Sequence, residues 1–122
     1  VRVRPPLPRP ALAAAGALAL TAAGCGPDAG QMQICERVLL ALVDEPASVR
    51  VLERRSGEAH AVVIDFTQAV PEGPAQQGRI ACGFAGGRFE DGRLTLDSVE
   101  TGELGRLTGL SLAVLKRRLS LP

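Results

Sequence analysis

The chain has 122 residues, a formal charge of +1, 46% hydrophobic residues and only 2% aromatic ones. That length holds one small domain and excludes a two-domain enzyme. Its aromatics are three phenylalanines, with no Tyr and no Trp. This argues against a stacking platform for single-stranded nucleic acid and against a Trp- or Tyr-anchored binding surface.

The first 24 residues differ from the rest. Val1 to Pro10 carries Arg2, Arg4 and Arg9 without an acid, and Ala11 to Ala23 follows without a charge. A basic start before an apolar run of about 7–15 residues is the pattern of a secretory signal; a membrane-spanning helix needs about 20 apolar residues. Residues 1–24 are therefore expected to be a cleaved signal peptide. The junction Thr21-Ala22-Ala23-Gly24-Cys25 offers small side chains to a peptidase cleft and then a thiol. It resembles the lipobox of bacterial lipoproteins, with Ala22 where that family usually has Leu. The resemblance implies lipidation of Cys25 and a periplasm-facing anchor in the bacterial cell envelope. Gly26, rather than Asp, after that cysteine resembles outer-membrane sorting. The alternative is an ordinary signal cut after Ala23.

Removing the signal changes the charge. Three of the 14 basic residues lie in it and none of the 13 acids, so the remainder holds 11 bases against 13 acids, a net −2. A slightly acidic domain lacks the electrostatic footprint of a nucleic-acid binder. Of the three cysteines, assigning Cys25 to the lipid leaves Cys35 and Cys82 as one pair in an oxidising compartment. A disulfide between them is expected; two buried thiols packing as small hydrophobes are the alternative. No CxxC occurs and His60 is the single histidine, so neither a metal site nor a cofactor is expected.

In chain order, residues 25–34 read as a lipid-anchored tether, with Gly26 to Gln31 rich in Gly, Pro and Asp. From about Gln31 to Val43, Ile34, Cys35, Val38, Leu39, Leu42 and Val43 recur at helical spacing as one apolar stripe. Asp44-Glu45-Pro46 stops that helix, because proline disfavours helical geometry in the residue before it. Ser48 to Arg54 and His60 to Phe66 alternate as strands around a turn at Arg55-Ser56-Gly57-Glu58. Pro71 to Gly78 reads as a polar connection. Arg79 to Phe84 is a third strand with Ile80, Cys82 and Phe84 on one face, and Arg93 to Val99 a weaker fourth with Leu94 and Leu96 inward. Gly102 to Leu119 is expected to be a second helix. Thr101 would cap it, Leu104, Leu107, Leu110, Val114 and Leu115 would be its buried face, and Lys116-Arg117-Arg118 would suit its C-terminal dipole. A strand through Leu110, Leu112 and Val114 competes with that reading.

His60 with Asp65, Ser56 or Ser98 can formally assemble a nucleophilic site, but no local motif places them together. Cys82-Gly-Phe-Ala-Gly-Gly87 resembles a phosphate-cradling loop only superficially, since no helix follows it. Lys116, Arg117 and Arg118 beside leucines are a candidate contact for anionic headgroups or a partner. The mature pattern resembles small uncharacterised secreted bacterial proteins, which implies no activity.

The expected fold is α+β, ordered α-β-β-β-β-α, an antiparallel sheet of about four strands with N- and C-terminal helices on one face. Residues 35–122 form its single domain. The expected function is a non-catalytic envelope module, an accessory or assembly partner that binds another protein or a second copy of itself. A small-molecule or lipid carrier, which needs an enclosed apolar cavity, comes second. A small hydrolase comes last.

Overall fold

A computed structural model describes residues 26–122; the expected signal peptide and Cys25 lie outside the described residues. Helix α1 spans Ala29–Leu42. Strands β1 (Val49–Ser56), β2 (Ala61–Gln68), β3 (Gln76–Phe84), β4 (Leu96–Thr101) and β5 (Gly105–Leu107) follow, then helix α2 (Gly109–Leu119). The five strands form one antiparallel meander in sequence order. The α+β class is as expected, with one strand more than the sequence pattern showed.

Helix α1 begins at Ala29, two residues before its apolar stripe becomes readable. The Asp28 side chain accepts a hydrogen bond from the Gln31 amide at 3.0 Å and caps it. Gln31, Met32 and Ile34 are buried. The expected tether over 25–34 is therefore corrected: only Gly26 and Pro27, among the described residues, precede the cap. At the other end the helix stops at Leu42, and Val43 is already extended.

One sheet face carries the core. Val62, Ile64 and Phe66 on β2 stand opposite Cys82, Ile80 and Gly78 on β3. On β4, Val99 pairs with Cys82 and Leu96 with Phe84. These strand residues join Cys35, Val38 and Leu39 of α1 and Leu112 and Leu115 of α2 in a single apolar cluster, so both helices cover the same face. Gly78 has a specific use. A Cβ there would come within 2.5 Å of the Phe66 ring, and its absence lets the aromatic lie across the strand.

A disulfide between Cys35 and Cys82 joins α1 to β3 across a separation of 47 residues. In the chain-entropy account, closing such a loop stabilises the fold by about 4 kcal/mol. That is a large share of the roughly 5–15 kcal/mol margin of a natural domain.

The C-terminal region departs most from expectation. Gly105 takes a left-handed conformation (φ +69°) and turns the chain into β5. Thr101 is the last residue of β4, and its hydroxyl accepts from the Leu104 amide instead of capping a helix. Helix α2 is thus 11 residues long and starts at Gly109. Leu112 and Leu115 face the core, while Leu110 and Val114, expected on the buried face, lie on the opposite side. The helix ends at left-handed Ser120, where the Ser120 amide donates to Arg117 and the Leu121 amide to Lys116, the paired closure of a Schellman motif. Arg37 of α1 donates to the Leu119 carbonyl and ties the two helices together.

Smaller shifts occur elsewhere. Strand β3 starts at Gln76 and shortens the expected polar connection, and β4 starts at Leu96 instead of Arg93. A bulge at Leu52 breaks the β1 register between Val51 and Glu53. Val49 and Val51 pack on the core, and beyond the bulge Arg54 reaches Glu36 of α1.

Candidate functional site

The two ends of α1 differ in chemistry. At its N-terminal end, a polar cluster fixes the β3–β4 loop. Gln31 donates from one amide group to the carbonyls of Gly86 (3.0 Å) and Arg93 (2.8 Å). The Arg93 guanidinium returns to both Asp28 oxygens, at 2.7 and 2.9 Å. Burial pushes the Asp28 carboxyl up, but the Gln31 amide, the Arg93 guanidinium and the Gly30 amide together hold it below the usual carboxylate range. Sequence reasoning missed this cluster. Its signal was Asp28-Ala29-Gly30-Gln31, an acidic cap followed by Gln three residues on, which resembles a capping box. Here the Gln side chain crosses to the loop.

Arg88 in that loop donates to the Gly26 carbonyl at 3.0 Å. Phe89 follows it with φ +74° and 95% exposure. The β1–β2 hairpin lies alongside, with Ala59 and His60 both at positive φ, as the mirror-image turns that suit hairpins require. His60 is half exposed, 3.9 Å from Glu90. It shares a shallow hollow of about 200 Å³ with Ser56, Gly57 and Arg88.

At the C-terminal end of α1 a wider groove of about 850 Å³ opens between the helix, the bulged part of β1, the start of β3 and the β4–β5 turn. Leu42, Val43, Phe66 and Val70 are among its apolar lining. Leu52 and Leu104 stand in it at 54% and 55% exposure. Asp44, Glu53 and Glu103 add carboxylates, and none of the three makes an ion pair among the described residues. The groove stands open to solvent, where a carrier calls for an enclosed cavity. The sequence hid it because Leu52 is exposed by a bulge and Leu104 by a hairpin turn, neither of which alternation foresees.

The candidate residues fall out as follows. Cys25 lies outside the described residues. Cys35 and Cys82 are disulfide-bonded. Lys116 donates to the Leu96 carbonyl at 3.0 Å and fastens α2 to β4; Arg117 and Arg118 are exposed beside Leu110 and Val114. Asp65 is not drawn to His60. On the polar sheet face it accepts from Arg79 at 2.7 Å and Arg55 at 3.0 Å, and these two bonds hold its carboxyl below the usual range against the opposing effect of burial. Ser98 lies across β3 against Gly83. Of the formal nucleophilic set, His60 and Ser56 alone share a hollow, and no hydrogen bond joins them. No group of three or more His, Cys, Asp or Glu among the described residues could hold a metal ion. No described helix is long and apolar enough to cross a membrane.

No protein-family model matches the chain, and no curated protein or solved structure matches it either, so no activity transfers to it from a relative.

Proposed function

We propose that this chain is a non-catalytic, lipid-anchored protein of the bacterial envelope that acts as an accessory, protein-interaction module. The open groove carries the reading. Exposed leucines gathered in a concave, polar-lined surface suit a contact with another protein. Leu52 and Leu104 supply the apolar part here; Asp44, Glu53 and Glu103, with Asp65 paired to Arg79, leave the polar lining net acidic. The matching occupant is a segment of a partner protein with apolar residues beside Lys or Arg. Opposite charge at such a lining speeds encounter and fixes register more than it adds affinity. The anchor rests on the basic and apolar start of the sequence and on the small-residue junction before Cys25.

A second reading places another copy of the chain in the groove. The outward face of α2 presents Leu110, Val114, Arg117 and Arg118, the chemistry that the groove would accept. A head-to-tail contact of that kind closes into a ring or grows as a chain.

A photo-crosslinking amino acid at Leu104, used in the producing cells, tests both. The expected result is one discrete protein adduct, absent when the crosslinker replaces Glu100 on the polar sheet face. An adduct of twice the chain's mass assigns the groove to a second copy. Equal, diffuse labelling from both positions would contradict the interaction reading.

A further inference from the structure

We propose that the Arg88–Phe89 tip is a membrane-contact element, with the Phe89 ring in the boundary between headgroups and acyl chains of a phospholipid bilayer. This rests on the anchor reading, because the tip meets the bilayer only if the chain is held there near Cys25.

Three observations converge on it. First, the use of aromatics is unequal. Phe84 is in the core and Phe66 packs against it over Gly78, yet Phe89 is 95% exposed. Second, the exposed ring sits on a strained backbone that hydrogen bonds hold in place. The Glu90 amide donates to the Gly87 carbonyl at 2.9 Å and closes a turn whose third residue is Phe89 at φ +74°. Turns with positive φ at that position normally take Gly or Asn, and a left-handed L-residue costs roughly 1–2 kcal/mol. Gly92 occupies the loop's other left-handed position (φ +80°) without that penalty. Strain that the surroundings over-determine points to use. Here the surroundings are the buried Gln31 bonds to Gly86 and Arg93, and the Glu90 carboxylate accepting from the Gly87 amide.

Third, the tip lies where the chain would enter the membrane. Arg88 holds the Gly26 carbonyl, and an acyl group on Cys25 would be attached one residue away. With α1 capped at Asp28, no long tether separates domain from anchor. A single ring gives weak membrane affinity, and stable attachment takes more than one signal. The tip therefore orients a domain that the lipid retains. Glu90 and Asp91 follow Phe89 in the chain, so the contact does not depend on anionic lipid.

The test uses the lack of Trp and Tyr in the chain. Phe89→Trp makes position 89 the sole strong fluorophore, and Ser111→Trp, on the exposed start of α2, is the control. Residues 25–122 contain the whole described core, and with the disulfide formed the Cys25 thiol alone couples to maleimide lipid in phosphatidylcholine vesicles. The expected result is a blue-shifted emission and about threefold weaker iodide quenching for Phe89→Trp on vesicles, with no change for Ser111→Trp. Equal quenching of the two variants on vesicles overturns the proposal. Because coupling supplies the anchor, this result is independent of native lipidation. Intact mass of the protein extracted from membranes reports that separately: a chain beginning at Cys25 without acyl mass would remove the anchor reading while leaving the tip measurement standing.

Discussion

The N-terminal end of α1 is polar, closed and bonded; its C-terminal end opens on a groove where exposed leucines stand among carboxylates and amides. About 20 Å separates the two ends, the length of a 14-residue helix. At the first end, Asp28, Gln31 and Arg93 satisfy one another and two loop carbonyls. At the second, Leu52 and Leu104 face solvent beside Asp44, Glu53 and Glu103, which make no ion pair among the described residues. The difference teaches where this small domain spends rigidity. A buried polar cluster is favourable only when every member is satisfied, and in return it fixes one geometry. In the groove, Leu42, Val43 and Phe66 still pack on the core, while the exposed Leu52 and Leu104 side chains are free for something that fills it.

The comparison can be broken by experiments of decreasing expected effect. The disulfide supports both ends, since Cys35 sits midway along α1. Replacing both Cys35 and Cys82 by Ala should lower unfolding stability by about 4 kcal/mol, read from urea denaturation. A loss below about 1 kcal/mol would mean that the aliphatic core suffices alone. Next, Gln31→Leu leaves the Gly86 and Arg93 carbonyls without their donor and should cost about 2 kcal/mol. Amide exchange should rise first in residues 85–95, where those bonds end.

Acid should act on the closed end of α1 and on Asp65, which stands with Arg79 in the lining of the groove. The Asp28 and Asp65 carboxyls are both held below the ordinary value of 3.8 in the folded chain. Their stabilisation is therefore full above that value and is lost as pH falls through the lowered folded values. Thermal midpoints should drop on acidification across that window, and Asp28→Asn should flatten part of the drop. An unchanged pH profile in Asp28→Asn would show that the Arg93 pair is not coupled to folding.

Two substitutions sharpen the contrast at low amplitude. His60→Gly relieves a left-handed side chain and should stabilise by about 1 kcal/mol, measured by thermal unfolding. Destabilisation instead would mean that the His60–Glu90 contact outweighs the strain. Leu104→Ser should change stability by no more than about 0.5 kcal/mol, because its side chain is over half exposed. The same substitution should remove the protein adduct formed from a crosslinker at Leu52.

Much of the fold was legible from periodicity. The stripe of α1 and the alternation around Ile80 and Cys82 placed both cysteines on facing apolar surfaces, and the disulfide joins them. What misled was glycine. Gly105 and Gly109, four apart, fit a helix that packs closely, yet both are left-handed and bracket a hairpin and a helix start. That error placed Leu104 in a buried stripe and hid the groove. The polar end was missed for another reason: partners such as Gln31 and Gly86, 55 residues apart, leave no local pattern.

Spin labels at positions 89 and 104 of the membrane-attached protein test the central claim, that one end meets the bilayer while the other presents a groove away from it. The account predicts that the label at position 89 is accessible to oxygen dissolved in the bilayer, while the label at 104 is accessible to water-soluble relaxant. Equal accessibility at both positions, or a lipid-exposed label at 104, would contradict it.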